Sequence, residues 1–422
     1  MQVIAVTGTD GKTSTVSYTR QLLRAGGLQA SSYGSDGWHT REGHAARPPG
    51  FVGLHALPDL LAIERANGAD AIVVEAFSSS LAAGIYDQVA VDAAAFTNLG
   101  HDHLDRHGDR TRYLGAKRRL FEHVLCARGT AVLDRSTSPG YQLANVVNRR
   151  GGRVLTVGLS AAASIRLHQQ LPHPAGTWLD LQIGRHRTAL VTPVLGGAVI
   201  HDVLLAIGLA LDAGIPSGAL FAALPNLTPP AGRLESIGQL RGATVMLDTA
   251  HTPDALAAAL NALRPRCRRR LCVVFGCGGN RDASKRPLMA RVAAELADVV
   301  TITDDNPRSE DPEAIRTTLL AECPEAMEIP DRTEAIVHAI ERLQSGDVLL
   351  VAGRGDESHQ QRADGACPLS DRAVVQAALL ASPAQPDPAC ARASARCLPP
   401  RMRTVRSFQT HSGVSRSCEL LP

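Results

Sequence analysis

The chain alternates short, wholly apolar runs with polar, Gly-containing turns and with longer stretches whose apolar residues recur every three or four positions. Residues 2–6 (QVIAV) form the first run, and 71–75 (AIVVE) and 93–97 follow it. Runs that are apolar at every position suit strands covered on both faces, as in a parallel sheet. The segment from Lys12 to about Arg24 has helical spacing, and Gly26-Gly27 supplies its stop. Residues 177–192 (TWLDLQIGRHRTALVT) differ: two alternating stretches flank Gly184, which predicts a hairpin. After "NLTPPAGR" (226–233) a second strand-then-helix series begins, with apolar runs at 244–248, 271–275, 299–303 and 347–352. The pattern predicts an α/β chain in two domains, 1–226 with a largely parallel sheet and a smaller doubly wound one at 227–381. Residues 382–422 mix Pro, Arg, Ser and Cys without a period and are expected to be a disordered tail.

Composition narrows the function classes. Aromatics are only 3% of the 422 residues, so the cores must be built from Ala, Val, Leu and Ile. The net charge is +3, but six arginines against Asp387 and Glu419 place about +4 in the tail, which leaves the body near neutral. That body is no polyanion binder, and no nucleic-acid partner is expected. The nine cysteines contain no C-x-x-C pair, which fits a reduced, cytoplasmic protein. No leader precedes the first strand and no apolar run reaches membrane-spanning length, so no membrane partner is expected either.

The candidate chemistry begins at "VTGTDGKTST" (6–15). The loop follows a strand and opens a helix, as a phosphate loop must. It is nevertheless two residues shorter than G-x-x-x-x-G-K-[ST]. Gly8 and Gly11 let backbone N–H groups approach phosphate oxygens, Lys12 adds a point charge, and the Thr13 hydroxyl suits Mg²⁺. Glu75 ends the strand AIVVE, where a carboxylate can position a metal or water, the alternative being a solvated strand-end glutamate. "FTNLGHDHLDRHGD" (96–109) packs three His and three Asp into one stretch. Zinc is one reading; the absence of a nearby cysteine and the adjoining phosphate loop favour Mg²⁺, and a solvated loop is the alternative. Lys117 lies on the apolar stripe Tyr113, Leu120, Phe121, Val124. A buried lysine there would have a lowered pKa, and its neutral amine could take up CO₂ as a carbamate, an oxygen ligand for Mg²⁺. A snorkelling lysine with its head in water is the competing reading.

Seven ordered segments carry a resemblance: "VTGTDGKTST", "FTNLGHDHLDRHGD…YLGAK", "GRLE", "LDTAHTPDAL", "VFGCGGNRDASKRPLM", "TDDNPRSEDP" and "VLLVAGRGDE". Over residues 1–381 the sequence resembles the Mur ligases, nearest to their MurE type, whose phosphate loop has this short form. The resemblance implies a P-loop ATPase-like central domain followed by a Rossmann-like C-terminal domain. It implies an ADP-forming acid–amino-acid ligase that activates a carboxylate as an acyl phosphate. Gly8, Thr9, Asp10, Gly11, Lys12, Thr13 and Ser14 would hold ATP, with Arg233 and Asp248 reaching it from the second domain. Thr13 and Glu75 would hold one Mg²⁺, and His103 with a carbamylated Lys117 a second. Lys12, Glu75, His103 and Lys117 would form the catalytic set, and Arg281, Asp305, Asn306, Arg308, Gly353 and Glu357 the amino-acid site. The partners would be a small carboxylate acid and an amino acid, and the enzyme a monomer.

The departures fall on the acceptor side. MurE-type chains carry an N-terminal UDP-binding domain, whereas Met1 stands just before the ATP loop here. A Thr-Thr segment reads Pro48-Pro49, an S-S-H segment reads Ser78-Ser79-Ser80, and an N-x-x-N pair reads Val199 and Asp202. These changes predict an acceptor that need not be UDP-linked. Arg308 predicts an amino acid with a distal carboxylate, as diaminopimelate has, unless it pairs with Glu310 or Asp311. The rival readings are a truncated peptidoglycan ligase and a non-catalytic nucleotide-binding subunit.

Overall fold

The structure, a computed structural model, describes residues 1–45 and 57–381, which form one compact unit. Pro48-Pro49 and the tail 382–422 lie outside the described residues. The first sheet is built from β1 (Gln2–Thr7), β2 (Ala30–Gly34), β3 (Gly37–Thr40), β4 (Gly43–Ala45), β5 (Ala71–Glu75), β6 (Val91–Phe96), β7 (Leu125–Leu133), β8 (Arg153–Gly158), β9 (Ile165–His173), β10 (Gly176–Ile183) and β11 (His186–Thr192). Its strand order is β11-β10-β9-β8-β7-β6-β1-β5-β2-β3-β4. Pairing is parallel from β9 through to β2 and antiparallel at both ends. The expected hairpin is β10–β11, turned at Gly184 with φ 57°.

The apolar strand runs have the cause expected of them. Val3 and Ala5 pack into one core while Ile4 and Val6 pack into another on the opposite face. Ile72 and Val74 divide from Ala71 and Val73 in the same way, so both faces of the central strands are covered. The second sheet contains β12 (Glu235–Leu240), β13 (Ala243–Asp248), β14 (Leu271–Phe275), β15 (Val299–Ile302), β16 (Met327–Glu328) and β17 (Val348–Ala352), in the order β12-β13-β17-β14-β15-β16. Only β12 runs antiparallel to its neighbour. Val245 and Leu247 face one core and Met246 the other, so this sheet too is covered on both sides. A small hairpin, β18 (His359–Arg362) with β19 (Gly365–Pro368), forms a separate sheet whose Gln361 N–H donates to Asn306 Oδ1 at 2.8 Å. No described helix is long and apolar enough to cross a membrane.

This topology puts the chemistry at the carboxyl ends of strands. In the first sheet β1 lies between β6 and β5, and the phosphate loop leaves its end. In the second, Asp248, Gly276, Thr303 and Gly353 stand at or just beyond the ends of β13, β14, β15 and β17. Ligands of open α/β sheets bind at such edges, because each strand hands its chain to a loop facing the same crevice.

Candidate active site

The phosphate loop is shaped by glycine and clamped by the "FTN" segment. Gly11 has φ 80° and caps the helix Lys12–Ala25. A Cβ at Gly8 would stand 1.7 Å from Thr97 Oγ1, and one at Gly11 would stand 2.2 Å from Asp202 Oδ1. Thr97 Oγ1 donates to the Asp10 carbonyl at 2.6 Å, and the Asp10 N–H donates to Asn98 Oδ1 at 3.1 Å. Lys12 Nζ donates to the carbonyls of Thr9 (2.6 Å) and Gly8 (3.2 Å). The Glu75 carboxylate is buried and accepts from both the N–H (3.0 Å) and the Oγ (2.9 Å) of Ser35, whose Oγ also meets Thr13 Oγ1 at 2.9 Å. Burial removes the solvated strand-end reading of Glu75. Ser35, which sequence reasoning missed, links the two expected metal ligands.

Lys117 is 1% exposed and donates to the Gly8 carbonyl at 2.5 Å, with its Nζ 4.2 Å from the centre of the Tyr113 ring. Its head is therefore not in water, as snorkelling would require. Burial lowers its pKa well below the ordinary lysine value, and Lys12 adds to that effect. The helix Arg110–Arg119 gives way to a π-helical turn at Leu120–Val124, so the stripe read as one helix is two. Lys117 lies upstream of that break and keeps its alignment with Tyr113.

The His/Asp-rich stretch does not converge on one point. His101 Nε2 meets Ser284 Oγ at 2.8 Å, Asp102 Oδ1 takes Lys285 Nζ at 3.2 Å, His107 Nε2 meets Ser78 Oγ at 3.0 Å, and Asp109 caps a helix. Among the described residues no three His, Cys, Asp or Glu side chains gather as a metal cage. His103 stands out within the stretch. Its backbone is left-handed (φ 57°), and its Nδ1 is buried without a hydrogen-bond partner. Burial lowers its pKa to about 4, with Lys12, Lys117 and Lys285 acting the same way and Asp102 opposing them. A neutral imidazole with an unpartnered nitrogen is a ready ligand. Thr13 and Glu75 supply hard oxygen donors, and Mg²⁺ characteristically takes few protein ligands and completes its shell from phosphates and water. The residues thus fit a divalent ion held jointly with a nucleotide.

The two sheets share this site. Arg233 Nη2 donates to Thr13 Oγ1 at 3.1 Å, Thr252 Oγ1 donates to the Asp10 carboxylate at 3.1 Å, and Lys285 pairs with Asp102. Asp248 accepts from the N–H of Leu234 and of Ala250, each at 2.7 Å, so it shapes the turn that aims Arg233. A cleft of about 350 Å³ runs between the sheets. Thr9, Asp10, Gly11, Lys12, Thr13, Ser14, Glu75, Arg233 and Asp248 line it. So do Val199 and Asp202. Next to it, a pocket of about 210 Å³ is lined by Lys12, Phe77, Ser78, Ser79, His103, Arg106, Tyr113, Lys117 and Arg281. Ser80 is buried in the short helix Ser78–Ala82 and lines neither cavity, which corrects its place in an acceptor turn.

The expected amino-acid residues divide. Asp305, Asn306, Gly353 and Glu357 come together: Asn306 Nδ2 donates to Glu357 Oε2 at 2.9 Å, and a Cβ at Gly353 would stand 2.6 Å from Asp305 Oδ2. That Asp305 oxygen is buried and has no partner. Arg308 donates through Nη1 to the carbonyls of Gly279 (2.8 Å) and Asn306 (3.3 Å). Its competing carboxylates are taken, Glu310 by Arg286 and Asp311 as the cap of the helix Pro312–Leu320. Arg281 sits at the neighbouring pocket instead. Sequence reasoning missed the support beneath this group. Arg332 and Arg354, both buried, pair with Asp371 at 2.7 and 3.3 Å and hold the turn after β17.

Comparison with known proteins agrees with this geometry. Residues 6–210 match the Mur ligase middle domain, and 232–355 match the Mur ligase glutamate ligase domain. The chain is 42% identical over 384 residues to a UDP-N-acetylmuramoyl-L-alanyl-D-glutamate--2,6-diaminopimelate ligase of Bradyrhizobium diazoefficiens, covering 89% of this chain and 78% of the relative. It is 40% identical over 383 residues to the protein of that name from Rhizobium meliloti, with 89% and 78% covered. A solved structure of such a ligase superposes with a TM-score of 0.62 at 30% identity, over 90% of this chain and 78% of the other. The chain belongs to the Mur ligase family, of MurE type, and is an ATP-dependent ligase that forms C–N bonds.

Proposed function

We propose that this ligase joins a diaminopimelate-like amino acid to a glutamyl-type carboxylate, the reaction that its relatives' name describes. The observation that carries the reading is Arg308, whose guanidinium has no carboxylate partner among the described residues although its neighbours do. A distal carboxylate on the amino acid would satisfy it, and a planar fork favours bidentate pairing. The unpartnered Asp305 oxygen and Glu357 would receive the ammonium at the other end.

The chemistry follows from the division of the site. The acceptor carboxylate attacks the γ-phosphorus of ATP, and the bond to the bridging oxygen breaks to release ADP. The amine then attacks the acyl carbon, phosphate leaves, and the nitrogen gives up its proton. Lys12 and the loop N–H groups hold the phosphates, and Arg233 reaches them from the second sheet. Thr13 and Glu75 would hold one Mg²⁺, and His103 with a carbamate on Lys117 a second. Divalent ions there would offset the charge that gathers when a carboxylate meets a triphosphate. Because Arg233, Thr252 and Lys285 all reach across, the site is complete only when the two sheets approach, which keeps water from the acyl phosphate. The enzyme is read as a cytoplasmic monomer acting on small molecules.

An ADP-release assay with ATP, Mg²⁺, meso-diaminopimelate and L-alanyl-D-glutamate acceptors, free and UDP-muramoyl-linked, tests this. Release should require both acid and amine, and lysine should replace diaminopimelate poorly. Equal use of lysine, or release without any acceptor, would overturn the reading. The two acceptor arms also decide the expectation of an acceptor without UDP, since Pro48-Pro49 lie outside the described residues and Ser80 does not line the pocket.

A further inference from the structure

We propose that Gln360, on the hairpin β18–β19, is a positioning residue for the amino-acid site. It holds the loop 305–308 so that Arg308 stays apart from the nearby carboxylates, and both remain open to the two ends of the amino acid. The proposal rests on the ligase reading above and adds the part that keeps those groups from pairing with one another. Of the hairpin's strand residues only Gln360 is buried, at 1% exposure. A surface hairpin that sends one polar side chain inward needs a reason, because a buried amide is costly unless it is hydrogen-bonded. Gln360 Nε2 donates to the Asp305 carbonyl at 2.5 Å, and its Oε1 accepts from Arg362 Nε at 2.7 Å.

Further hydrogen bonds from the hairpin fall on the same loop. The Gln361 N–H donates to Asn306 Oδ1 at 2.8 Å, and the Gln361 carbonyl accepts from the Arg308 N–H at 2.9 Å. Arg308 is left-handed, with φ 55°, a conformation that few non-glycine residues adopt. A loop fixed at 305, 306 and 308 can hold that backbone. The clamp also has an attraction to resist. Burial lowers the Arg308 pKa, with Arg281 and Arg106 adding to that effect, while Asp305 and Glu357 act against it. Those two acids attract the guanidinium, yet its Nη1 goes to the carbonyls of Gly279 and Asn306 instead. Asn306 holds both acids back: its Nδ2 donates to Glu357 Oε2 at 2.9 Å, and its N–H donates to Asp305 Oδ1 at 2.7 Å. Freed from the hairpin, Arg308 would relax its backbone and close on one of these acids. The amino acid would then have to break that pair in order to bind.

Steady-state ADP release by the whole chain, with ATP, Mg²⁺, UDP-muramoyl-linked L-alanyl-D-glutamate and meso-diaminopimelate, tests this. Gln360→Met keeps the length of the side chain and removes both hydrogen bonds. It should raise the KM for diaminopimelate roughly fivefold to tenfold, while kcat and the KM for ATP stay within about twofold. In an Arg308→Gln background no guanidinium is left to close, so adding Gln360→Met should change that KM by less than about twofold. A merely structural role for Gln360 would persist there. Arg362→Met is an exposed change that frees the Gln360 amide to turn. It should raise the same KM about twofold with an unchanged melting temperature, which guards against a folding defect in Gln360→Met. An unchanged diaminopimelate KM in both variants, or the full rise persisting beside Arg308→Gln, would overturn the proposal and leave the ligase reading intact. A wild type that releases no ADP in response to diaminopimelate would overturn both.

Discussion

Two cavities meet at Lys12, Phe77 and His103, and their walls are charged in opposite ways. The larger cleft mixes Asp10, Glu75, Asp202, Asp248 and Glu357 with Lys12 and Arg233. The smaller pocket has lysine and arginine and no acid at all. A triphosphate arrives with divalent cations, so its site needs carboxylates to hold the metal as well as cations to hold phosphate. A carboxylic acid brings no counter-ion of its own, so its site must provide positive charge alone. On the proposed reading, that difference assigns the nucleotide to the larger cleft and the acceptor acid to the smaller pocket.

The sharpest way to break the comparison is at Lys117, the residue of the smaller pocket nearest the phosphate loop. Lys117→Ala should lower kcat by roughly 10²–10³-fold, the usual cost of removing one preorganised charge-stabilising group. Added short-chain carboxylates should restore part of it by occupying the place proposed for a carbamate. Steady-state ADP release measures both, and full activity in the variant would remove the carbamate from the account.

Gly11→Ala tests the shape of the larger cleft rather than its charge. A left-handed alanine costs about 1–2 kcal/mol, before the contact with Asp202 is counted. ATP affinity should fall by about tenfold or more as the loop shifts to relieve that strain. Nucleotide titration by fluorescence or calorimetry reads it, and acceptor binding should change far less.

Arg308→Lys keeps the charge and removes the fork. The KM for diaminopimelate should rise by roughly tenfold, in line with about 1.5 kcal/mol for a charge-assisted hydrogen bond, while the KM for ATP stays within about twofold. An unchanged amino-acid KM would show that Arg308 is not the reader.

The smallest effect is expected at Asp202, where the carboxylate of the larger cleft that adjoins Gly11 should be neutral. Burial, with Asp10 adding to it, pushes its pKa well up, so the carboxyl is protonated below that raised value and charged above it. Ionisation would place a negative charge beside the phosphates. In the wild type the KM for ATP should climb as the pH is raised through that value, whereas Asp202→Asn should stay flat. Near neutral pH the two should differ by less than about threefold. Parallel profiles would mean that Asp202 never changes charge.

Much of this was legible in the linear chain, for reasons that differ by residue. The strand AIVVE could be read because both of its faces are buried, and Lys117 because a cation on an apolar stripe is a local contradiction. Arg308 could be read from the resemblance, but its freedom from Glu310 and Asp311 depends on Arg286 and on a helix cap. The short edge strands β3 and β4 and the hairpin β18–β19 left no clear period. Ser35, Arg106, Lys285 and Arg354 carried no local signal, since each matters only through a partner distant in sequence.

The sequence by itself determined the α/β order, the family and the candidate groups for binding ATP. These are properties of spacing over a few residues: period, glycine freedom and a charge beside a hydroxyl. Only the tertiary structure decided which side chains remain unpaired. Whether an arginine is neutralised or left waiting for a ligand depends on which carboxylates fold back to it, and Arg106 and Arg281, 175 residues apart in the chain, reach one pocket only when the loops of both sheets meet.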